Sequence, residues 1–344
     1  MAEQQEEKRI EIRIGDCFDL IKGLEDNSVD LIITSPPYAD IVNYGKNISI
    51  KKPNEYCDWL LPIFNEIHRV LKPSGSFILN INDNCKNGVR NPFIYELIYR
   101  SQKETKLKFY DTYIWHKMNG IPNGGTRRFR NTTEFIFHFV KNQKEMKFYM
   151  DRVLKKPAES YVKRLETPVN DFGKVVDGER IREPKKVRKT GLVRPDNVFR
   201  FPTAGLSRDN TIRHPAPFHK SLPEYFIKLL TDEGDLVVDI FSGIGTTGLP
   251  CKDMNRFYLG FELNGKYAEF SRQRLNGEEL EEYVINQYDL DDNFVRSWNT
   301  INEIEKELGF DSHNHIEDCI RKGNKTSYGY KWKLERKYED KQTT

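Results

Sequence analysis

Short apolar runs alternate along this chain with longer amphipathic segments, and this alternation limits its fold more than any other feature. Residues 10–14 alternate with period two, residues 30–34 form a short apolar run, and residues 56–71 carry apolar side chains at helical spacing before Pro73 and Gly75. This order predicts βαβ units around a mostly parallel sheet. Further strands are predicted at 76–81, 110–115, 134–140, 236–241 and 257–262, and further helices at 93–99, 222–230 and 266–275.

The composition fits such a fold and narrows the class of protein. The 344 residues are enough for one large α/β domain and a smaller appendage, and a hydrophobic content of 37% supports a packed core. No stretch approaches the roughly 20 apolar residues that a membrane span needs. The five cysteines are scattered without a CxxC pair, which favours a reduced protein without structural zinc. We therefore expect a cytoplasmic protein with no membrane partner and no metal.

Positive charge is concentrated in one segment of the chain. The net charge is only +3, yet residues 141–200 hold 17 Lys and Arg against 9 Asp and Glu. Hydrophobic periodicity is weak in this segment, and prolines interrupt it. Because lysine and arginine neutralise phosphates, the segment as a whole is a candidate for contact with nucleic acid. For any single residue in it, a solvated surface position is an equal alternative.

A glycine-rich turn follows the strand predicted at 236–241. The turn begins at Asp239 and carries Gly243, Gly245 and Gly248 just before a helix. Small residues at such a turn let the backbone approach a nucleotide-like ligand, with amide groups at the helix start as donors. Glu262 ends the next strand, where its carboxylate can accept hydrogen bonds from both ribose hydroxyls.

This turn leaves two classes of cofactor open. Its spacing satisfies the GxGxxG pattern of enzymes that bind nicotinamide or flavin dinucleotides. The acidic residue that opens it favours S-adenosylmethionine instead, because Asp239 suits a cationic methionine end and would repel a pyrophosphate. An ordinary tight turn of an α/β fold is the remaining alternative.

The sequence Thr34-Ser35-Pro36-Pro37-Tyr38 continues directly from a predicted buried strand and is the most specific motif of the chain. An exocyclic amino nitrogen is a poor nucleophile because its lone pair is delocalised into the ring. The Ser35 hydroxyl and the Pro36 carbonyl are acceptors that can bind the amino hydrogens and localise that pair. The prolines stiffen the loop, and Tyr38 offers a flat face on which an extruded base can stack. The motif therefore predicts methyl transfer to the amino group of a base.

Direct transfer of this kind needs no covalent enzyme intermediate. Methylation at carbon 5 of cytosine, in contrast, requires a cysteine nucleophile, and the chain does contain a Pro250-Cys251 pair. That pair lies inside the helix predicted after the glycine turn. We therefore interpret Cys251 as a core residue.

With both motifs present, the chain resembles the amino-methyltransferases of bacterial restriction–modification systems. It is most similar to their β-class order, in which the catalytic half precedes the cofactor half. The resemblance covers residues 9–277 and also rests on Gly15-Asp16 and on the stretches 69–76, 115–117, 133–136 and 214–218. It implies an α/β fold with a Rossmann-like mixed sheet, S-adenosylmethionine as cofactor, duplex DNA as substrate, and a cognate restriction endonuclease as partner.

The resemblance also implies the roles of particular residues. Ser35, Pro36, Pro37 and Tyr38 would form the catalytic site, Asp16 would meet the adenine end of the cofactor, and Phe218 belongs to the block that closes over the methionine end. The cofactor set that it implies is Asp16, Asp239, Phe241, Gly243, Gly245, Thr246, Thr247, Glu262 and Phe218.

The prediction of which base accepts the methyl group depends on one position, the residue before Pro36-Pro37. Ser before Pro-Pro is the usual mark of cytosine-N4 enzymes, whereas Asp-Pro-Pro-Tyr is commoner among adenine-N6 enzymes. Ser35 therefore favours cytosine N4, and adenine N6 stays open because either base presents the same kind of amino group. A non-catalytic DNA-binding protein with a degenerate cofactor fold and a nicotinamide oxidoreductase are the more remote alternatives.

The β-class order predicts how the domain is divided. The catalytic half is expected at 9–140, the target-recognition region at 141–213 and the cofactor half at 214–277. The basic segment found above falls in the target-recognition region, where lysines and arginines would anchor the protein on duplex DNA. The candidate DNA contacts are Arg127, Arg128, Lys185, Lys186, Arg188 and Lys189.

The tail at 284–336 carries a second resemblance, on the stretches 289–294, 298–301, 307–309, 316–326 and 329–332. It is similar to the small nuclease-associated modular domain found beside homing endonucleases, a helix-turn-helix-like DNA-binding unit. An alternating stretch at 283–288 and helices predicted at 300–308 and at 315–322 make the tail a small α/β appendage, and a helical cap on the main domain is the alternative. His313, His315 and Cys319 lack the paired spacing of a metal site, so we interpret them as surface residues.

Overall fold

The structure is a computed structural model. It describes residues 9–38, 52–86, 88–118, 127–157, 174–176, 179–181, 192–203, 218–277, 283–298, 301–309, 316, 319–320 and 326–336. These residues form two compact units: the first comprises the described residues up to 203 together with 218–275, and the second comprises those from 276 onward. None of the helices in the described part of the chain is long and apolar enough to cross a membrane.

The first unit alternates strands with helices, as the sequence predicts. Its strands are β1 (Ile10–Ile14), β2 (Val29–Thr34), β3 (Leu71–Ile81), β4 (Asn84–Lys86), β5 (Val89–Asn91), β6 (Lys108–Lys117), β7 (Thr133–Val140), β8 (Lys174–Val176), β9 (Glu179–Ile181), β10 (Val198–Phe201), β11 (Leu236–Asp239) and β12 (Phe257–Glu262). Its helices are α1 (Cys17–Lys22), α2 (Pro53–Val70), α3 (Phe93–Glu104), α4 (Ser221–Leu230), α5 (Gly248–Asp253) and α6 (Gly265–Asn276), with a 3-10 turn at Met150–Val153.

Eight of these strands form one sheet in the order β1-β12-β11-β2-β3-β7-β6-β10. Strand β7 is antiparallel to both of its neighbours, and every other pair in the sheet is parallel. The carboxyl ends of the other seven strands therefore meet at one edge, which we call the carboxyl edge. The loop that joins β6 to β7 also leaves the sheet at this edge. Ligands of open α/β sheets bind at the carboxyl ends of the strands.

Helices cover both faces of the sheet and bury its apolar strands. Residues of α1, α2 and α3 pack in one hydrophobic cluster, and residues of α4, α5 and α6 pack in another. Helix α2 shows why the amphipathic pattern predicted it: Tyr56, Leu60, Phe64 and Ile67 recur at helical spacing, and each is at most 1% exposed. Burying side chains of this size contributes about 1.5–3 kcal/mol each. The predicted α/β class and the Rossmann-like sheet are confirmed.

Two predicted strand bounds were wrong, and both differences have a local cause. Strand β3 begins at Leu71 instead of residue 76, because Val29 of β2 already pairs with Leu71 ahead of Pro73 and Gly75. Strand β11 ends at Asp239 instead of residue 241, because the Asp239 carboxylate accepts a hydrogen bond from the Phe241 amide over 3.1 Å and starts the turn early.

The second unit is built on an antiparallel sheet, whose first strand coincides with the alternating stretch at 283–288. Strands β13 (Tyr283–Tyr288), β14 (Phe294–Trp298), β15 (Thr326–Ser327) and β16 (Tyr330–Arg336) pair in the order β14-β13-β16-β15. Helix α7 (Ile301–Leu308) lies where a helix was predicted, and residues 316, 319 and 320 are helical. The unit has a core of its own, formed by Ile285, Trp298, Ile304, Ile316, Cys319 and Trp332. The interpretation of Cys319 as a surface residue was therefore wrong: its side chain is 3% exposed and packs in this core.

Candidate active site

The Ser-Pro-Pro-Tyr motif and the glycine turn lie on neighbouring strands. Leu31 of β2 pairs with Val237 of β11 in parallel register, so both strands end at the carboxyl edge. The Thr34 hydroxyl donates a hydrogen bond of 2.6 Å to Asp239 Oδ1, and the Phe241 amide donates to Thr34 Oγ1 over 3.2 Å. The first residue of each motif therefore contacts the other, although the two are far apart in sequence.

Asp239, which the sequence favoured as a contact of the cationic end of the cofactor, faces inward and links the two motifs. Its side chain is 1% exposed, and its second oxygen accepts a hydrogen bond of 2.6 Å from the Thr247 hydroxyl. Burial raises the pKa of Asp239 to about 6, although the hydrogen bonds from Thr247 and Thr34 favour its charged form. Thr247 is fully buried. Both residues shape the turn from inside, because hydroxyl and amide donors occupy the two oxygens of Asp239.

The glycine turn brings its backbone to the end of the next strand. Gly243 and Gly245 have φ values of 51° and 75°, which glycine adopts without strain. The Gly243 amide donates to Glu262 Oε2 over 2.9 Å, and the Asn264 amide donates to Glu262 Oε1 over 2.7 Å. Burial raises the pKa of Glu262. Each carboxylate oxygen retains a second lone pair, so the Glu262 carboxylate can still accept hydrogen bonds from two ribose hydroxyls.

The end of β1 completes this side of the edge. The Gly15 amide donates to the backbone oxygen of Glu262 over 3.0 Å, which places Asp16 next to the end of β12. Asp16 is exposed and caps α1, with Oδ1 accepting a hydrogen bond of 2.8 Å from the Phe18 amide. The structure thus brings Asp16 and Glu262 together at one edge.

Aromatic rings line the side of the edge between the two motifs. Phe241 is half-buried, and its ring centroid lies 5.7 Å from that of Trp59 on α2. Trp59 in turn packs edge-on against Tyr56, with centroids 5.3 Å apart. Open carboxylates, a close-approaching turn and flat rings fit a cofactor that has a nucleoside part and an amino-acid part.

Two other residues of the expected cofactor set, Phe218 and Thr246, are largely buried. Phe218 is 8% exposed and packs in the hydrophobic cluster of α4, and Thr246 is also 8% exposed. The structure therefore gives Phe218 a packing role ahead of α4. Residues 214–217, which complete the block predicted to close over the methionine end, lie outside the described residues.

The Ser-Pro-Pro-Tyr loop is fixed at two points after Ser35. Ser35 is half-buried and Pro36 is buried. The Tyr56 hydroxyl donates to the Pro37 carbonyl over 3.0 Å, and the Tyr38 hydroxyl donates to Glu134 Oε2 over 2.6 Å. Both bonds restrain the loop that presents the Ser35 hydroxyl and the Pro36 carbonyl. The loop is thus held in one conformation at the carboxyl edge.

Glu134 is itself held in place. It is 4% exposed at the start of β7, and its second oxygen forms an ion pair with the ammonium group of Lys117 at the end of β6. A buried carboxylate is stable only when it is paired and hydrogen-bonded, and Tyr38 and Lys117 together satisfy that need. The position of Tyr38 therefore depends on the base of the β6–β7 hairpin.

Comparison with known proteins gives the family. Residues 29–273 match the family model described as DNA methylase. The chain belongs to this DNA methylase family. The family model covers methyltransferases that act on amino groups of bases, so this protein is a DNA methyltransferase, and S-adenosylmethionine is its cofactor. The oxidoreductase alternative is thereby wrong. Residues 283–320 match the NUMOD1 domain, which agrees with the resemblance found in the tail.

Individual relatives show how far the similarity extends. The methylase is 27% identical over 298 residues to the Type II methyltransferase M.PvuII of Proteus hauseri, a match that covers 79% of this chain and 85% of the relative. It is 29% identical over 264 residues to the DNA adenine methyltransferase YhdJ of Escherichia coli K12, covering 76% and 81%. A solved structure described as PvuII DNA methyltransferase (cytosine-N4-specific) superposes with a TM-score of 0.58 at 25% identity, covering 77% of this chain and 86% of that one.

Several site residues of the methylase escaped the sequence analysis. Tyr56 and Glu134 contact the Ser-Pro-Pro-Tyr loop, and Lys117 holds Glu134. From the sequence, Tyr56 is predicted only as a core residue of a helix, and Lys117 and Glu134 only as residues near strand ends. The signal that could have found Glu134 is an acidic residue at the start of an apolar strand. At the end of β3, Asn80 and Asp83 are buried, and within the described part of the chain Asn80 Oδ1 and Asp83 Oδ2 lack hydrogen-bond partners.

The remaining residues that the sequence analysis singled out lie outside the two motifs. Cys251 is fully buried in α5, as expected of a core residue. Arg127 and Arg128 are exposed in the β6–β7 loop, and the Arg128 guanidinium donates to the Gly88 carbonyl. Among the described residues, no three His, Cys, Asp or Glu side chains cluster in a way that could hold a metal. The predictions that lie outside the described residues concern Lys185, Lys186, Arg188, Lys189, His313 and His315.

Proposed function

We propose that this methyltransferase transfers a methyl group to the N4 amino group of cytosine in duplex DNA. The observation that carries the proposal is Ser35 at the end of β2, held next to the glycine turn by the Thr34–Asp239 hydrogen bond. A serine at this position is the usual mark of cytosine-N4 enzymes. The PvuII methyltransferase, whose printed description is cytosine-N4-specific, supports the same base.

The chemistry requires alignment more than it requires a reactive side chain. S-adenosylmethionine, when bound, supplies an electrophilic methyl group on a positively charged sulfur. The Ser35 hydroxyl and the Pro36 carbonyl accept hydrogen bonds from the amino group and direct its lone pair at the methyl carbon. The nitrogen–carbon bond forms as the carbon–sulfur bond breaks, and the amino group afterwards loses a proton to water. Ser35 and Pro36 stabilise the charge that develops on the nitrogen before that loss.

The target base must leave the double helix to reach this site. An amino group stacked inside a duplex cannot meet acceptors at the end of a buried strand, so the base is flipped into the pocket. Tyr38 then stacks on the flipped base, with its hydroxyl held by Glu134 and its ring half-buried beside α2. Glu262 and Asp16 would hold the ribose and adenine ends of the cofactor on the neighbouring strands.

The remaining parts of the chain supply DNA binding. Arg127 and Arg128 are exposed at the carboxyl edge, and the basic segment at 141–200 follows the catalytic half. We assign phosphate contacts to Arg127 and Arg128 and, within the basic segment, to Lys185, Lys186, Arg188 and Lys189. The NUMOD1 match supports a further DNA contact by the tail. The similarity to Type II methyltransferases supports a protective role against a cognate restriction endonuclease in a bacterial or phage-infected cytoplasm.

Adenine N6 is the second candidate, because YhdJ is described as a DNA adenine methyltransferase and matches over a comparable length. The two candidates are separated by incubating the purified protein with S-adenosylmethionine and unmethylated plasmid DNA. The DNA is then digested to nucleosides, which are identified by mass spectrometry. The proposal predicts N4-methylcytosine as the product, N6-methyladenine would establish the second candidate, and 5-methylcytosine would contradict both.

A further inference from the structure

Phe129 has a fully exposed side chain, with a relative exposure of 101%. The other exposed large hydrophobic side chains of the described residues range from 37% to 71%. Single exposed apolar side chains are common on soluble proteins, so exposure alone indicates no function. The place of Phe129 in the fold and the charges beside it are what distinguish it.

The loop that carries Phe129 rises from the carboxyl edge beside the catalytic loop. At its base the Lys117 amide donates to the Thr132 carbonyl over 2.7 Å, and the Asn82 side chain donates to the Thr133 carbonyl over 2.9 Å. The next residue, Glu134, contacts Tyr38. Since a chain extends by at most about 3.6 Å per residue, the Cα atom of Phe129 lies within roughly 18 Å of that of Glu134. Phe129 is thus presented on the side of the sheet where the target base must enter.

The neighbours of Phe129 are all suited to the DNA backbone. Arg127, Arg128 and Arg130 are exposed on both sides of the ring, and Arg128 is fixed by its hydrogen bond to the Gly88 carbonyl. Guanidinium groups bind phosphates, and on DNA an apolar ring beside them can insert between stacked bases. Proteins that distort DNA use this combination, with an apolar side chain inserted between bases and basic residues on the phosphates.

We propose that Phe129 inserts into the DNA base stack at the place that the target base vacates. Its ring replaces the stacking lost when the base flips, and Arg127 and Arg130 contact the phosphates beside the gap. The flipped state is thereby stabilised from the DNA side, while Tyr38 and Ser35 hold the base on the enzyme side. This inference rests on the proposed function, because base flipping is a part of that proposal.

The test compares two duplexes that differ only in how strongly the target base is held. One carries the methylation site, identified by sequencing, with the target base correctly paired; the other has an abasic position opposite the target base. Phe129→Ala should lower kcat/KM at least tenfold on the paired duplex and less than threefold on the duplex with the abasic position, where flipping costs less. Phe129→Trp should retain activity on both. Tyr99→Ala, which removes a 65% exposed ring on α3, should match the wild type on both.

Two results would overturn the inference. An equal loss on both duplexes would show that Phe129 only contacts DNA or supports the loop, and unchanged activity on the paired duplex would show that the ring does not act. A wild-type control separates these results from failure of the proposed function. Wild-type enzyme should raise the fluorescence of 2-aminopurine placed at the target position, which reports flipping. If it methylates the DNA and raises the fluorescence while Phe129→Ala does the same at full rate, only this inference fails.

Discussion

The Thr34 hydroxyl donates a 2.6 Å hydrogen bond to the carboxylate of Asp239, across 205 residues of chain. Thr34 is the last residue of β2 before the catalytic triplet, and Asp239 is the last residue of β11 before the glycine turn. The proposed acceptors for the amino group and the glycine turn proposed to contact the cofactor are therefore fixed relative to each other by paired strands. Since misplacement of a reacting group by 1 Å can cost about a hundredfold in rate, this link is a structural basis for methyl transfer.

The buried carboxylate of Asp239 should give the protein a characteristic pH dependence. Its pKa is raised from 3.8 to about 6 on folding, so between these values the folded state binds more protons than the unfolded state. The free energy of unfolding should therefore fall as pH rises through this window, by up to about 3 kcal/mol. Burial holds the pKa values of the neighbouring Cys251 and Tyr258 well above their usual range, so neither ionises there.

The measurement is the difference in unfolding free energy between wild type and Asp239→Asn from pH 4 to pH 7, by urea titration. The stability of wild type relative to the variant should decline up to about pH 6 and stay level above pH 7. A relative stability that rises with pH would contradict the assignment of Asp239 as a destabilised buried anion.

Replacing Ser35 should separate chemistry from cofactor binding. Ser35→Ala removes one of the two acceptors for the amino group but leaves Asp16, Glu262 and the glycine turn unchanged. We expect kcat to fall by about a hundredfold, as for loss of one hydrogen-bonding group at a reacting centre. Affinity for S-adenosylmethionine, measured by calorimetry, should stay within twofold. Ser28→Ala, at the opposite edge of the sheet, is the matched control, and retained activity in Ser35→Ala would remove the proposed role.

The contact between Tyr38 and Glu134 should appear as an energetic coupling. Tyr38→Phe removes the hydroxyl and keeps the ring, and Glu134→Gln removes the charge and keeps the shape. Each change should lower kcat roughly tenfold, and the double variant should lose little more than either one, since groups in contact couple by 0.5–3 kcal/mol. Glu224→Gln, which breaks a surface ion pair with Lys228, serves as the control. Losses that simply multiply in the double variant would show that Glu134 does not act through Tyr38.

Gly245 should not tolerate a side chain. Its φ of 75° is unfavourable for other residues, and an added Cβ atom would lie 2.2 Å from the buried Ser271 hydroxyl oxygen. Gly245→Ala should destabilise the protein by about 2–4 kcal/mol and weaken binding of S-adenosylmethionine. Gly234→Ala has nearly the same φ, 80°, but open space around it, so it measures the backbone cost alone. Equal unfolding free energies for the two variants would show that the turn is not tightly packed.

Removal of the tail should affect DNA more than the cofactor. Deleting residues 284–344 removes β13 except Tyr283, β14 to β16 and all six core residues of the second unit, while no residue of the first unit's two hydrophobic clusters is lost. DNA affinity in a gel-shift titration should fall at least tenfold, and affinity for S-adenosylmethionine should be unchanged. A DNA titration identical to that of the full chain would leave the tail without a DNA-binding role.

Most of the fold could be predicted from sequence because the strands and helices carry strong local patterns. The apolar run at 30–34 and the helical spacing at 56–71 each report burial directly, and both elements occur as β2 and α2. In the second unit only the first strand of the sheet showed an alternating pattern, because the other strands pair antiparallel over short lengths with distant segments. Such strands depend on long-range pairing more than on any pattern within one segment.

The site could be predicted where its residues lie at a strand end or in a turn that the sequence marks. It could be predicted less well where side chains of different strands contact each other. Ser35, Gly243 and Glu262 follow from strand ends and a turn, which the sequence shows. The inward orientation of Asp239 depends on Thr34 and Thr247, whose hydroxyls reach it only in the folded chain. Glu134 could not be connected with Tyr38 from sequence, because their contact requires β7 to run against its neighbours.

Sequencing of genomic DNA from cells that express this protein tests the central claim most directly. The readout must distinguish N4-methylcytosine from N6-methyladenine at single sites, with cells that express Ser35→Ala as the control. The account predicts N4-methylcytosine at one defined sequence throughout the genome, and its near absence in the control. Methylation of adenine at a defined sequence would contradict the assignment of cytosine, and genomic DNA without either modification would contradict amino methylation itself.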